Sequence, residues 1–162
     1  MSKKVKIKLV LETPHVAVGA AIATKIANPL ISLPLAFASH FLLEKVPHWN
    51  PHLNTEKNNL GKVTKASTTI VIIDATSALI LGLWIASSKA RNFQEFAIII
   101  AACFFSVLPD LVEAPYFFLN IKSTLIEKWI KFQKSLQVDT SVVPGLITQI
   151  TTIAISLWWI FK

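Results

Sequence analysis

The residues of this 162-residue chain best suited to chemistry are four histidines and several acids, which lie at the ends of apolar segments. His15 heads a stripe of small residues at helical spacing, Gly19, Ala23 and Ala27. The second segment runs the other way, Ser32, Ala36, His40 and Glu44. The third restores the first order with Asp74, Ala78 and Gly82, and the fourth reverses it through Ala102, Ser106 and Asp110, with Glu113 one turn further on. Residues four apart share a helix face, and small side chains on that face let helices approach closely. If the segments are antiparallel neighbours, all the ionisable ends meet at one level. Imidazoles and carboxylates gathered in an apolar setting are what a metal-dependent hydrolytic site requires.

The elements that must position these groups are membrane helices. With 53% hydrophobic and 15% charged residues, and a mean hydropathy of +0.57, the chain is too apolar for an ordinary soluble domain. It reads as one all-α, integral membrane domain over residues 1–162: a bundle of about five helices, the first two short, plus an amphipathic interfacial helix. Apolar runs from Ser67 to Ser88, Phe96 to Phe118 and Gly145 to Phe161 approach the ~20 residues needed to cross the hydrocarbon. Thr13 before Pro14 and Asn28 before Pro29 each read as an N-cap followed by proline at the first helical position. They bound helices of roughly 22 to 26 Å, short for a ~30 Å core, so the pair forms a short hairpin or a re-entrant element.

Positive residues are retained on the cytoplasmic side. The basic segment 1–12 with Lys3, Lys4, Lys6 and Lys8, then Lys45, Lys57, Lys62 and Lys65, then Lys122, Lys128, Lys131 and Lys134 fall on one side of the five-helix arrangement, and Lys25, Lys89, Arg91 and Lys162 on the other. The N-terminus and the ionisable cluster are therefore expected on the cytoplasmic face. The net charge of +7 sits in these flanking segments, so the expected partner is anionic phospholipid rather than nucleic acid. Cys103, the one cysteine, excludes an intrachain disulfide and reads as a buried structural residue.

The richest local motif runs from Ser39 to His52. His40 and Glu44 are one turn apart and can reach the same ion, Pro47 ends the helix, and Pro51 stiffens the loop that carries His48 and His52. His48 is either a further ligand or, with Trp49 and His52, part of an interfacial belt. Asp74 lies well inside its span with no lysine near it on the same helix, so it needs a partner, a proton or a metal. Pro109 kinks its helix and aims Asp110 inward.

Thr13-Pro14-His15 with Gly19, Ser39-His40 through Pro47-His48-Trp49, and Leu108-Pro109-Asp110 resemble motifs of small bacterial inner-membrane proteins described as metal-dependent hydrolase-like, a group similar to the zinc-dependent phospholipase C/D fold. The resemblance covers roughly positions 13 to 52 and 106 to 116. It implies metal ligation by His15, His40 and Asp110, with Asp74 as an addition, and a location in the bacterial inner membrane. The chain departs from the group's pattern in having Glu44 where an aspartate is usual and Asn50 where an acid is common.

From Ile121 to Gln137, an apolar face of Ile121, Leu125, Trp129, Phe132 and Leu136 opposes lysines, as in a helix lying in the membrane interface; a solvated linker helix is the alternative. The last helix carries Gln149, Thr152 and Ser156 on one face and is assigned to packing or self-association as a homo-oligomer. The expected function is hydrolysis of a phosphate ester at headgroup level with zinc, or manganese, as cofactor and Glu44 or Glu113 as general base. The alternatives are a non-catalytic polar or metal-bound cluster that fastens short helices, and an ion transporter. Transport sites favour the bilayer midplane, whereas this cluster lies toward one face.

Overall fold

The computed structural model describes residues 12–51 and 53–162; His52 and the basic segment with Lys3, Lys4, Lys6 and Lys8 lie outside the described residues. The described chain forms α1 (Glu12–Lys25), α2 (Pro29–Leu43), α3 (Leu53–Leu60), α4 (Lys65–Lys89), α5 (Phe93–Leu111), α6 (Ala114–Phe118), α7 (Thr124–Leu136) and α8 (Val142–Phe161). Three of these, α4, α5 and α8, are long and apolar enough to cross a membrane. The expected five helices are α1, α2, α4, α5 and α8, and α7 is the amphipathic one; α3 and α6 are additional.

Each departure from the sequence expectation has a local cause. The run expected to continue to Phe118 ends at Leu111 and restarts at Ala114. Pro115 has no N–H for the turn before it and disfavours helical geometry at Ala114. Short α3 exists because Glu56 on it is buried and accepts from the Thr64 amide at 2.8 Å and the Ser67 hydroxyl at 2.7 Å. It thereby supports the start of α4, where Thr64 itself caps the helix through Ser67 N. Asn28 caps α2 as expected, accepting from Leu30 N at 3.0 Å with Pro29 at the first position. Thr13 does not cap α1. That helix already includes Glu12, and its first turn is met by a side chain from another helix, as described below.

The helix α1 packs against α2, α4, α5 and α8, and α2 packs against α5. Such central placement suits a helix whose buried residues are small: Ala17, Gly19, Ala20, Ala21 and Ala23. A Cβ on Gly19 would lie 2.8 Å from the Ala102 carbonyl oxygen and 2.9 Å from Ser106 Cβ, so glycine is what allows α1 and α5 to touch backbone to side chain. The other stripes also face inward, with Ser32, Ala36, His40, Asp74, Ala78, Ala102 and Ser106 all buried. The exterior is apolar. Leu30, Ile72, Ile73, Leu79, Ile80, Ile147, Ile150 and Trp158 are exposed, an arrangement suited to lipid rather than to water.

Candidate metal centre

The antiparallel stripes bring one ligand-type group from each of three helices together. Ligand atoms of His15 on α1, His40 on α2 and Asp110 on α5 lie within 4.8 Å of one another. The imidazoles of His15 and His40 stack with centroids 4.3 Å apart, and both residues are buried. Around them, His40 Nε2 is 3.5 Å from Asp110 Oδ1, His15 Nε2 is 3.6 Å from Glu44 Oε1, and His48 Nε2 is 3.7 Å from the same Glu44 oxygen. These separations exceed hydrogen-bond length. The His40–Asp110 separation is close to the roughly 3.4 Å between neighbouring ligand atoms in a tetrahedral zinc site with bonds near 2.1 Å.

A second observation supports the fit. Glu12 Oε2 and Asp110 Oδ2 are each buried with no hydrogen-bond partner among the described residues. A buried carboxylate oxygen without a partner calls for a proton or a cation. The residues present therefore suit a divalent cation in donor type, separation and charge.

Each histidine has a distinct support. His40 Nδ1 donates to the Ser106 carbonyl at 2.9 Å, near Pro109, and its Nε2 lies 2.9 Å from Gln133 Oε1, a contact that a metal at Nε2 would replace. His48 Nδ1 donates to Val46 O at 2.7 Å, and its Nε2 accepts from Asn50 Nδ2 at 2.7 Å, so His48 is placed beside Glu44 and outside the three-residue group. Trp49 and His48 are buried against the protein rather than displayed on its surface. The turn that holds Glu44 and His48 is tied to the segment after α7, with Val138 N donating to Glu44 O, His48 N to Val138 O and Thr140 N to His48 O.

Asp74 is near the cluster but has another task. It accepts from Thr13 Oγ1 at 2.6 Å and from the Glu12 backbone N–H, capping the first turn of α1 from α4. Among the described residues it is not part of the group that could share one ion.

Gln133 is the site residue that an inventory of ionisable groups misses. It is buried on α7, its Oε1 lies 2.9 Å from His40 Nε2, and its Nε2 donates to Asp110 Oδ1 at 3.1 Å and Glu113 Oε1 at 2.8 Å. The helix is anchored by Trp129 Nε1 donating to Pro109 O at 3.0 Å and by Trp129 and Phe132 against Phe41. The apolar face expected there is only partly used. Ile121, Leu125 and Phe132 remain exposed, Leu125 at 78%. The one available signal was position, since Gln133 lies a turn beyond Trp129 at the border of the apolar face.

A cavity of about 180 Å³ opens beside the cluster, lined by Glu44, Asn50, Asp110, Glu113, Gln133 and Lys134 among others. The two glutamates differ in charge state. Burial favours the neutral form of Glu44, but the neighbouring His15, with His48 and His40, outweighs it and holds the carboxyl below the usual range. Burial, reinforced by Asp110 and Glu44, pushes Glu113 up to about 8 despite its bond from Gln133. The site thus offers one ionised and one protonated carboxyl at neutral pH. The chain matches no protein-family model, no curated protein and no solved structure.

Proposed function

We propose that this protein is a membrane-embedded, metal-dependent hydrolase that cleaves a phosphate ester at the level of the lipid headgroups. The observation that carries this reading is the convergence of His15, His40 and Asp110 within 4.8 Å, of which Asp110 lines a cavity shared with Glu44 and Glu113. A zinc or manganese ion held by those three residues supplies Lewis acidity and lowers the pKa of water. The rest is done by the chain. Glu44, ionised, takes a proton from the water whose oxygen forms the new P–O bond. Glu113, protonated, gives its proton to the ester oxygen as that P–O bond breaks. Lys134 lines the same cavity and offers a cation to the phosphate, while Gln133 spans Asp110 and Glu113 and fixes their separation.

The test is turnover in vesicles. Purified protein reconstituted with a panel of phospholipids and lipid-linked phosphates is expected to release product, to stop with chelator and to recover with zinc or manganese. Metal-loaded protein that turns over nothing in the panel removes the reading, leaving a polar cluster that fastens helices.

Two variants separate the carboxyl roles. Glu44→Gln is expected to keep the metal and lose about 10²- to 10⁴-fold in rate. Glu113→Gln mimics the protonated form, so it should fold normally, retain metal and lose a similar factor. The wild-type rate should fall with rising pH as Glu113 loses its proton. That limb should vanish from the residual activity of Glu113→Gln. An unchanged alkaline limb in this variant assigns the proton donor elsewhere.

Orientation is testable apart from chemistry. With the ionisable ends facing the cytoplasm, reporters fused near Ser88, in the last turn of α4, are expected outside, and those near Asn54 and Ser135 inside. A cytoplasmic signal at Ser88 reverses the arrangement.

A further inference from the structure

A second cavity, of about 270 Å³, lies between α4 and α5 with α1 as its floor. Its α4 wall runs from Ala75 to Leu83 along one helix face, and its α5 wall runs antiparallel to it, from Leu111 back to Ile100. Val16 and Glu12 of α1 close the bottom, and Glu12 is the one acidic residue of the lining among the described residues. Small residues make the room. Ala78 and Gly82 are buried on α4, and a Cβ on Gly82 would lie only 3.3 Å from Cys103 Sγ and Val16 Cγ1.

The slot opens sideways to lipid. Both wall helices are long and apolar enough to cross a membrane, and Leu79, Leu83 and Phe104 on its rim are exposed. Water does not stay in such a space, because apolar walls offer it no partners. An empty slot would forfeit dispersion contacts along both walls. A helix from a second copy is too wide, since α4 and α5 touch each other and a helix with its side chains is about 10–12 Å across. A single hydrocarbon chain fits instead. From Ile100 to Leu111 the wall rises about 16 Å, close to the ~15 Å of one leaflet in a ~30 Å hydrocarbon core.

One end of the slot adjoins the candidate metal centre. Leu111 lines the slot, while Asp110, its neighbour in the chain, belongs to the three-residue group and lines the polar cavity with Glu44 and Glu113. Glu12 precedes His15 by less than a turn, about 4.5 Å of helix rise. We propose that the slot holds one acyl chain of a phospholipid whose phosphate lies at the His15, His40 and Asp110 centre, so that the lipid enters from the bilayer between α4 and α5. The head of that lipid rests on the metal-site reading; the chain in the slot does not. The substrate class is thereby narrowed to esters that carry a long chain, because a phosphate ester without one would leave the slot unused.

The test maps where a chain lies. Full-length protein in phosphatidylcholine vesicles receives a phosphatidylglycerol probe with a mid-chain diazirine, and the adducts formed on irradiation are located by mass spectrometry. Adducts on Val16 and Cys103 are expected, since both are buried and a chain lying outside the slot cannot reach them. Ala75→Phe puts a ring at the end of the slot nearest the centre, on a residue that is otherwise exposed. This variant is expected to lose the adducts on Val16 and Cys103 and keep those on Leu79 and Phe104 at the rim. A diacylglycerol probe with the same chain should label Val16 and Cys103 about 10-fold more weakly, for want of one charge-assisted contact. Wild-type adducts confined to the rim overturn the proposal, whether the slot is empty or, as a dimer on light scattering would show, covered by a second copy. Equal labelling by the two probes overturns the link between slot and centre. If Ala75→Phe fails to fold, the wild-type pattern still decides. Deep adducts from the phosphate probe alone, in protein that turns over no lipid, remove the hydrolase reading and leave the lipid site in place.

Discussion

Zinc titrated into the purified protein is expected to bind tightly, and His40→Ala to weaken that binding by at least about 100-fold, more than the loss expected from a supporting residue. His40 is fully buried, stacks on His15, and has Nδ1 committed to Ser106, so Nε2 has no role left but ligation or its contact with Gln133. Asp110→Asn should weaken zinc comparably, because it also removes the charge opposite His40. Asp74→Asn is the informative contrast. Its carboxylate caps α1 through Thr13 and Glu12 N, so this change should leave zinc bound and lower stability by about 1 kcal/mol. Metal analysis and thermal melts on the three variants check this. Full zinc occupancy in His40→Ala and Asp110→Asn together would remove both from the coordination sphere, and zinc loss in Asp74→Asn alone would place Asp74 within it.

The second large effect is expected from Gly19→Val, which changes no polar group. The added atoms meet the Ala102 carbonyl and Ser106 Cβ at under 3 Å, and a backbone carbonyl has nowhere to go. Overpacking of this kind costs about 1–3 kcal/mol or more. Here it also separates α1 from α5 and so pulls His15, one turn away, from Asp110. Thermal stability and zinc affinity should fall together. Gly82→Ala is the control, since its Cβ meets Cys103 Sγ and Val16 Cγ1 at 3.3 Å, ends of side chains that can shift. A Gly19→Val protein with wild-type melting and zinc affinity would mean that the α1 and α5 contact is looser than described.

What could be read from the sequence follows from the physics that made it visible. The small-residue stripes survive as helix contacts because close approach leaves a period in the chain, and His15, His40 and Asp110 met for that reason. Asn28 was legible as a cap since its partner is two residues away, whereas the cap of α1 comes from Asp74, sixty-one residues beyond Thr13, and no local pattern encodes it. Trp49 fits an interfacial belt by type, yet Gly145 on α8 lets it lie buried. Gln133 escaped as a site residue because it carries no charge. An amide matters only when its neighbours are known, and those neighbours lie on other helices.

The helix α1 is made before almost everything that encloses it. Its walls are α2, α4, α5 and α8, its first turn is capped by α4, and Gly19 fits against α5. At 5–20 residues per second, the chain needs on the order of ten seconds to deliver α8 after α1 leaves the ribosome. During that interval a 14-residue helix carrying Glu12 and His15 has no bundle to shield it, and it is too short to anchor itself across the bilayer. The order of synthesis and the order of housing are therefore opposed: α1 emerges before every helix that encloses it. A chaperone or an insertase that shelters early segments should matter more to this protein than to one whose central helix comes last, and release of truncated chains before α5 should yield α1 sensitive to protease.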